Sequence, residues 1–186
     1  MYKRQTQDKR TRELAPKVFN DPALAPLLDA CFADLGEAAA NDGSSGAVPL
    51  VQALGHLALI ERGIVRPGSR RGQAALRTAR LSLARRLIAR HLQEPDLAPA
   101  RVADLLGVSV RHLHMLFEVA DRSFSQTVTE ERLKRSRRLM REAPERLIAD
   151  IASACGFESL ATYYRVFNAA YGMAPGDFRA QAARAP

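Results

Sequence analysis

The side chains in this sequence that can do chemistry are, before anything else, arginines. Residues 62–90 hold nine arginines and no acid, net +9. Residues 21–61 hold six acids and no Lys or Arg, net −6. Residues 1–20 add +4 and residues 91–186 add +1, so the whole chain carries +8. Clustered guanidinium groups suit a polyanion, or form a solvated helix face. Other chemistry is poorly supplied. His112 and His114 diverge by about 200° on a helix, and no third ligand stands near, so neither a metal site nor a cofactor is expected. Two cysteines, Cys31 and Cys155, cannot make a disulfide framework or a multi-cysteine metal site. They suit a reducing compartment. No phosphate-cradling glycine loop, triad pattern or carboxylate pair is present, so the chain is not expected to be an enzyme.

The elements that must position these groups read as helices throughout. The 186 residues are 47% hydrophobic and 26% charged, an ordinary balance for a folded chain. No apolar run approaches the ~18–20 residues a bilayer span requires, and no leader with a cleavage site opens the chain. The expectation is a cytoplasmic, nucleoid-associated protein with no membrane partner. Residues 1–20 read as a disordered tail, and residues 1–5 are left out of the fold reading. Leu24, Leu27, Leu28, Cys31, Phe32 and Leu35 recur at three and four, a helical period. Gly43-Ser-Ser-Gly46 reads as a flexible break. Val48, Val51, Leu54, Leu57, Ala58 and Leu59 predict a second helix, ended near Gly63. Arg66-Pro-Gly-Ser predicts a turn. Leu76, Ala79, Leu83, Leu87 and Ile88 predict a third helix ending near His91, with Arg77, Arg80, Arg85, Arg86 and Arg90 flanking its stripe. Beyond a loop bracketed by Pro95 and Pro99, helices are predicted at about 100–106, 110–119, 124–141, 147–155, 160–170 and 176–183. No segment alternates as a strand does, so the fold class is all-α.

An internal repeat organises the second half. Val102-Ala-Asp-Leu-Leu-Gly-Val-Ser-Val-Arg-His-Leu-His-Met-Leu-Phe117 matches Ile151-Ala-Ser-Ala-Cys-Gly-Phe-Glu-Ser-Leu-Ala-Thr-Tyr-Tyr-Arg-Val-Phe167 in spacing. Ala103 and Ala152 each precede a Gly by four, at Gly107 and Gly156. Ser109 follows its glycine by two residues and Ser159 by three. Each Ser precedes a large apolar residue by four (Leu113, Tyr163) and a Phe by eight (Phe117, Phe167). The small Ala permits close helix crossing. The Gly ends the first helix in a left-handed conformation, and the Ser caps the second. Positions +4 and +8 share one face and point inward. This is the grammar of a helix-turn-helix.

These residues resemble the C-terminal DNA-binding region of the AraC/XylS-type bacterial transcription regulators, over residues of about 84–183. Arg132-Leu133, Ser136 and Leu139-Met140 are similar to the family's linker helix. Ile151-Ala152, Gly156-Phe157, Arg165-Val-Phe167, Gly172, Pro175 and Phe178-Arg179 are similar to its C-terminal signature. The resemblance implies two homeodomain-like helix-turn-helix subdomains, at about 98–119 and 147–170, joined by a long linker helix at about 124–141. A helical segment at 21–83 precedes them, as a remnant of a sensor domain or a replacement for one. It implies a sequence-specific regulator whose two recognition helices enter adjacent major-groove segments of a promoter. A linker of about 18 residues spans roughly 27 Å, which with the subdomain bodies approaches one DNA turn of roughly 34 Å.

The same resemblance puts Arg111, His114 and Met115 at base-facing positions of the first subdomain, with His112 beside them. In the second subdomain it puts Leu160, Ala161, Thr162, Tyr164 and Arg165 there. Ser109 and Ser159 stand at the helix N-termini, where free amides meet phosphates. Leu113 and Phe117 are expected in the core with Leu116 partly so, and Phe157, Tyr163 and Phe167 likewise. An ion pair to Glu158 or Asp177 is the alternative for Arg165. Met115 and the apolar pair Leu160-Ala161 depart from the family's polar residues, and Asp121 stands where relatives have Gly. Arg132 is expected to pair within the fold, and Cys155 to be buried and inert. Partners implied are double-stranded DNA, RNA polymerase and a second copy through residues 21–63. Two rival functions stand beside the regulator. One is a DNA-repair methyltransferase, which lacks its reactive cysteine context here. The other is a protein-interaction module with a weakened DNA-binding face. Whether the chain is a natural short regulator or part of a longer one stays open.

Overall fold

The computed structural model describes residues 21–40, 44–120 and 122–182, apart from the side chains of residues 44–46. The expected tail at 1–20, Gly43 and Asp121 lie outside them. The described residues form helices and connecting turns without a strand. The chain divides into two compact units, residues 1–86 and 87–186.

The first unit is built on α1 (Ala25–Ala40), α2 (Ser44–Glu61) and most of α3 (Arg70–His91). The Asp21 carboxylate accepts from the Ala23 amide at 2.8 Å, which fixes the entry to α1. Leu24, Leu27, Leu28 and Cys31 then pack with Leu50, Ala53 and Leu57 of α2 and with Ala75 and Ala79 of α3. Each fully buried Leu contributes about 1.5–3 kcal/mol. The small Ala53, Ala75 and Ala79 keep the helices close. Part of the expected flexible break is helical instead, because α2 starts at Ser44. Pro49 lies inside that helix and removes one i→i−4 bond from its second turn. Gly63, at φ +69°, ends α2 where the period predicted.

The second unit contains α4 (Pro99–Leu106), α5 (Val110–Glu118), α6 (Phe124–Glu142), α7 (Ile148–Ala154), α8 (Leu160–Tyr171) and α9 (Pro175–Ala182). Ala98 gives α4 no side-chain cap, and Pro99 supplies the first turn. Such an Ala cap leaves about 1 kcal/mol unrealised relative to Ser or Thr. α6 begins with a capping box. The Gln126 amide donates to Ser123 Oγ at 3.1 Å, and the Ser123 amide donates to Gln126 Oε1 at 2.8 Å. The two ends of α6 serve two cores. Phe124, Thr127 and Val128 are buried at its start, where the Phe124 ring stands edge-on to Phe117 at 5.8 Å. Leu133 and Met140 pack further along with Ile151, Cys155, Tyr163 and Phe167.

Candidate nucleic-acid interface

The two turns of the repeat close with the same pair of hydrogen bonds. The Gly107 amide donates to the Asp104 carbonyl and Val108 to Ala103, at 3.1 and 3.0 Å. Gly156 donates to Ser153 and Phe157 to Ala152, at 2.9 and 3.1 Å. This is the Schellman closure, which needs a left-handed residue; φ is +68° at Gly107 and +87° at Gly156. Ser109 Oγ then accepts from the His112 amide at 3.1 Å, and Ser159 Oγ from Thr162 at 3.4 Å. Both hydroxyls thus cap α5 and α8 as the spacing implied.

Those caps and turns aim the two helices. In α5, Leu113 and Phe117 are buried, and Leu116, expected only partly so, is buried as fully. Arg111, His114 and Met115 are exposed on the far side, and His112 is half-buried on the flank. Met115 keeps 52% of its surface. In α8, Tyr163 and Phe167 are buried, whereas Phe157, expected in the core, is half-buried. Ala161, Thr162 and Arg165 are exposed and lie within an arc of about 100° on the opposite face. Leu160 and Tyr164 are exposed beside the buried edge, with the Tyr164 ring edge-on to Tyr163 at 6.0 Å. The structure therefore gathers Arg111 with Met115 and His114, and Arg165 with Ala161 and Thr162. It leaves His112, Leu160 and Tyr164 on flanks. Among the described residues Arg165 pairs with neither Glu158 nor Asp177, and Arg111 forms no ion pair. Neither His112 nor His114 belongs to a cluster able to hold a metal among the described residues.

Behind these faces, cations of α6 act inward. Arg132 Nη2 donates to the Glu94 carbonyl at 2.6 Å and the Pro95 carbonyl at 3.3 Å, and Nε donates to Leu92 at 3.2 Å. It also lies over the Phe157 ring at 5.9 Å. Burial lowers its pKa. The guanidinium of Arg137 lies over Tyr171 at 4.8 Å and Phe178 at 5.2 Å, and Arg141 lies over Phe178 at 5.8 Å. Lys134 pairs with Glu130 and Glu131, and Arg122 with Glu130. By its sequence neighbours alone, Arg137 reads as surface charge. Only the chain's return through α8 and α9 brings the aromatic rings to it, and no local spacing signals that. Arg179, on α9, donates to the Arg146 carbonyl at 2.8 Å. Cys155 is buried, and burial raises its thiol pKa to about 11. Burial likewise raises Tyr163 to about 12, while its hydroxyl donates to Ser136 Oγ at 3.4 Å.

The comparisons with known proteins fall on this second unit. A family profile described as a helix-turn-helix domain matches residues 102–181. Over 108 residues the chain is 28% identical to the transcriptional activator NphR of Rhodococcus sp, covering 58% of this chain and 32% of NphR. Over 87 residues it is 39% identical to the HTH-type transcriptional regulator GlxA of Rhizobium meliloti (strain 1021), covering 46% of this chain and 26% of GlxA. The chain thus spans a third or less of these curated relatives. A solved structure from Chromobacterium violaceum, a transcriptional regulator of the AraC-type DNA-binding domain-containing proteins, is 30% identical. It superposes with a TM-score of 0.55 over 60% of this chain and 99% of that one. The chain belongs to the AraC-type family. The expected all-α helix-turn-helix fold is borne out. This AraC-type chain carries the DNA-binding domain of transcription regulators, and its relatives are regulators rather than enzymes. No helix among its described residues is long and apolar enough to cross a membrane.

Proposed function

We propose that this AraC-type chain binds promoter DNA sequence-specifically, inserting α5 and α8 into adjacent major-groove segments. One observation carries the reading. Two Ser-capped helices, each backed by a buried core, present exposed Arg111 and Arg165 and are joined by the single helix α6. α6 has 19 residues, which makes it about 28 Å long. Arg111 and Arg165 can each fork onto a guanine edge. Ser109 and Ser159, with the amides they cap, face phosphates. Met115 suits a thymine methyl, and Thr162 either a base or a phosphate. Ala161 and Leu160 offer only apolar contact, and His114 with the flanking His112 and Tyr164 offers hydrogen bonds to the backbone. The reading places the chain in the bacterial cytoplasm on the nucleoid. It also gives the chain RNA polymerase as a partner and a second copy paired through residues 21–63.

Selection from a random-duplex library at two salt concentrations tests it. Enrichment of a bipartite site, with half-sites about 10–10.5 bp apart, is the expected result. Salt-sensitive binding with no enriched sequence refutes base readout.

A second reading, a protein-docking face, is favoured by the exposed apolar surface of Met115, Val119 and Leu160. Specific DNA binding that survives Met115→Ala and Leu160→Ala, with loss of a captured protein partner, would favour it.

A further inference from the structure

α3 holds seven arginines and no acid. Among the described residues only Arg86 of these is ion-paired, to Asp34 and Glu37 at 3.5 Å each. Arg70, Arg77 and Arg85 are exposed. At 100° per residue they fall within an arc of about 80°, on the side away from Ala75 and Ala79, which enter the core. The stripe is roughly 22 Å long, with steps of about 10 and 12 Å, close to the ~12 Å width of a major groove. The residues on or beside that face between the arginines are the exposed Ala74, the half-buried Thr78 and Leu81 and the buried Ala84, none of them acidic and none a large exposed anchor. Beside Arg70 a groove of about 400 Å³ is lined by Arg71, His56 and Gln52 over a floor of Ala53 and Ala75, again without an acid.

We propose that Arg70, Arg77 and Arg85 form a phosphate-binding stripe by which α3 grips the DNA backbone, a sequence-blind contact additional to the recognition helices. The proposal rests on the DNA-binding reading above. DNA fits the stripe better than an acidic protein. Protein interfaces draw their affinity from buried aromatic and apolar anchors, which this face lacks. Guanidinium groups match phosphates in a bidentate fork.

The test uses the whole chain and a random-sequence duplex, with affinity followed by fluorescence anisotropy across a salt series. Each phosphate that the chain no longer neutralises makes the slope of log K against log salt shallower by about 0.9. The triple variant Arg70→Ala, Arg77→Ala, Arg85→Ala is expected to flatten the slope by a little under three units. The triple Lys variant, which keeps the charges, is expected to retain the slope. Arg86→Ala, which breaks only the pairs to Asp34 and Glu37, is expected to leave it unchanged. Circular dichroism checks that each variant keeps its helices. A wild-type slope in the triple Ala variant overturns the stripe while leaving the DNA-binding reading intact, and assigns the arginines to an acidic protein or to solvent. Absence of any binding by the wild type at low salt overturns both.

Discussion

Gly107 and Gly156 hold the same place in two copies of one motif, with the same two closing hydrogen bonds and the same left-handed backbone. Their surroundings differ. A Cβ added at Gly107 meets nothing within 4 Å. A Cβ at Gly156 would lie 2.4 Å from the Leu92 carbonyl oxygen and 3.0 Å from Arg132 Nε. The first turn needs glycine for its dihedral alone. The second needs it for space as well, because the Leu92 carbonyl and the Arg132 guanidinium that it accepts from close over it. The cores behind the turns differ in the same sense. Val102, Leu113, Leu116 and Phe117 fill the first, with Phe124 and Val128 from the start of α6. Phe157, Tyr163, Phe167, Tyr171 and Phe178 stack in the second, with Arg132 and Arg137 against their rings. Similar local grammar therefore sits in one subdomain packed by aliphatic and Phe side chains and in another whose aromatic core is cross-braced by arginines. The outward faces differ as well. The first carries Arg111 and His114 with Met115, whereas the second carries Arg165 with Ala161 and Thr162.

The glycines give the largest expected contrast. Gly156→Ala should cost about 3 kcal/mol or more, since backbone strain adds to a clash with backbone that cannot yield. Gly107→Ala should cost about 1–2 kcal/mol from the left-handed conformation alone. Equal destabilisation in chemical denaturation would break the comparison. The arginines come next. Arg111→Ala and Arg165→Ala should each weaken binding to the selected site by about 1–3 kcal/mol and relax specificity at one position. Equal weakening on a scrambled duplex would reduce either to a phosphate contact. The caps are smaller. Ser109→Ala should cost about 1 kcal/mol of stability, and Ser159→Ala less, because its bond is longer, 3.4 against 3.1 Å.

The last effect concerns pH and is felt only in the alkaline range. Cys155 stands where the first helix-turn-helix has Leu106, and burial holds its thiol at a pKa of about 11, as it does for Cys31. The folded state therefore favours the protonated thiol. Its contribution is whole below the ordinary cysteine value of 9.0 and is lost as pH rises from there towards 11. Unfolding followed between those limits should show declining stability, shallower in Cys155→Ala. A thiol reagent that labelled native Cys155 rapidly at neutral pH would contradict its burial.

The helices, their ends, the all-α class and the duplicated turn were legible in the sequence because each depends on neighbours within about four residues. Apolar spacing sets a face, a left-handed Gly closes a turn, and a Ser hydroxyl reaches an amide three residues on. Arg111, Met115, Ala161, Thr162 and Arg165 were legible as outward residues for the same reason, since Leu113, Phe117, Tyr163 and Phe167 set the opposite side. The onset of α2 at Ser44 was not, because burial of Leu50, Ala53 and Leu57 lies further along the same helix and outweighs local glycine and serine preferences. Nor were the partners of the cations. Arg132 meets carbonyls about 40 residues away, Arg137 meets rings on α8 and α9, and Arg86 meets acids on α1. Long, flexible charged side chains carry no periodic signal of their destination. Only the tertiary packing decides which arginines are spent inside the fold and which remain, as Arg70, Arg77, Arg85, Arg111 and Arg165 do, turned outward.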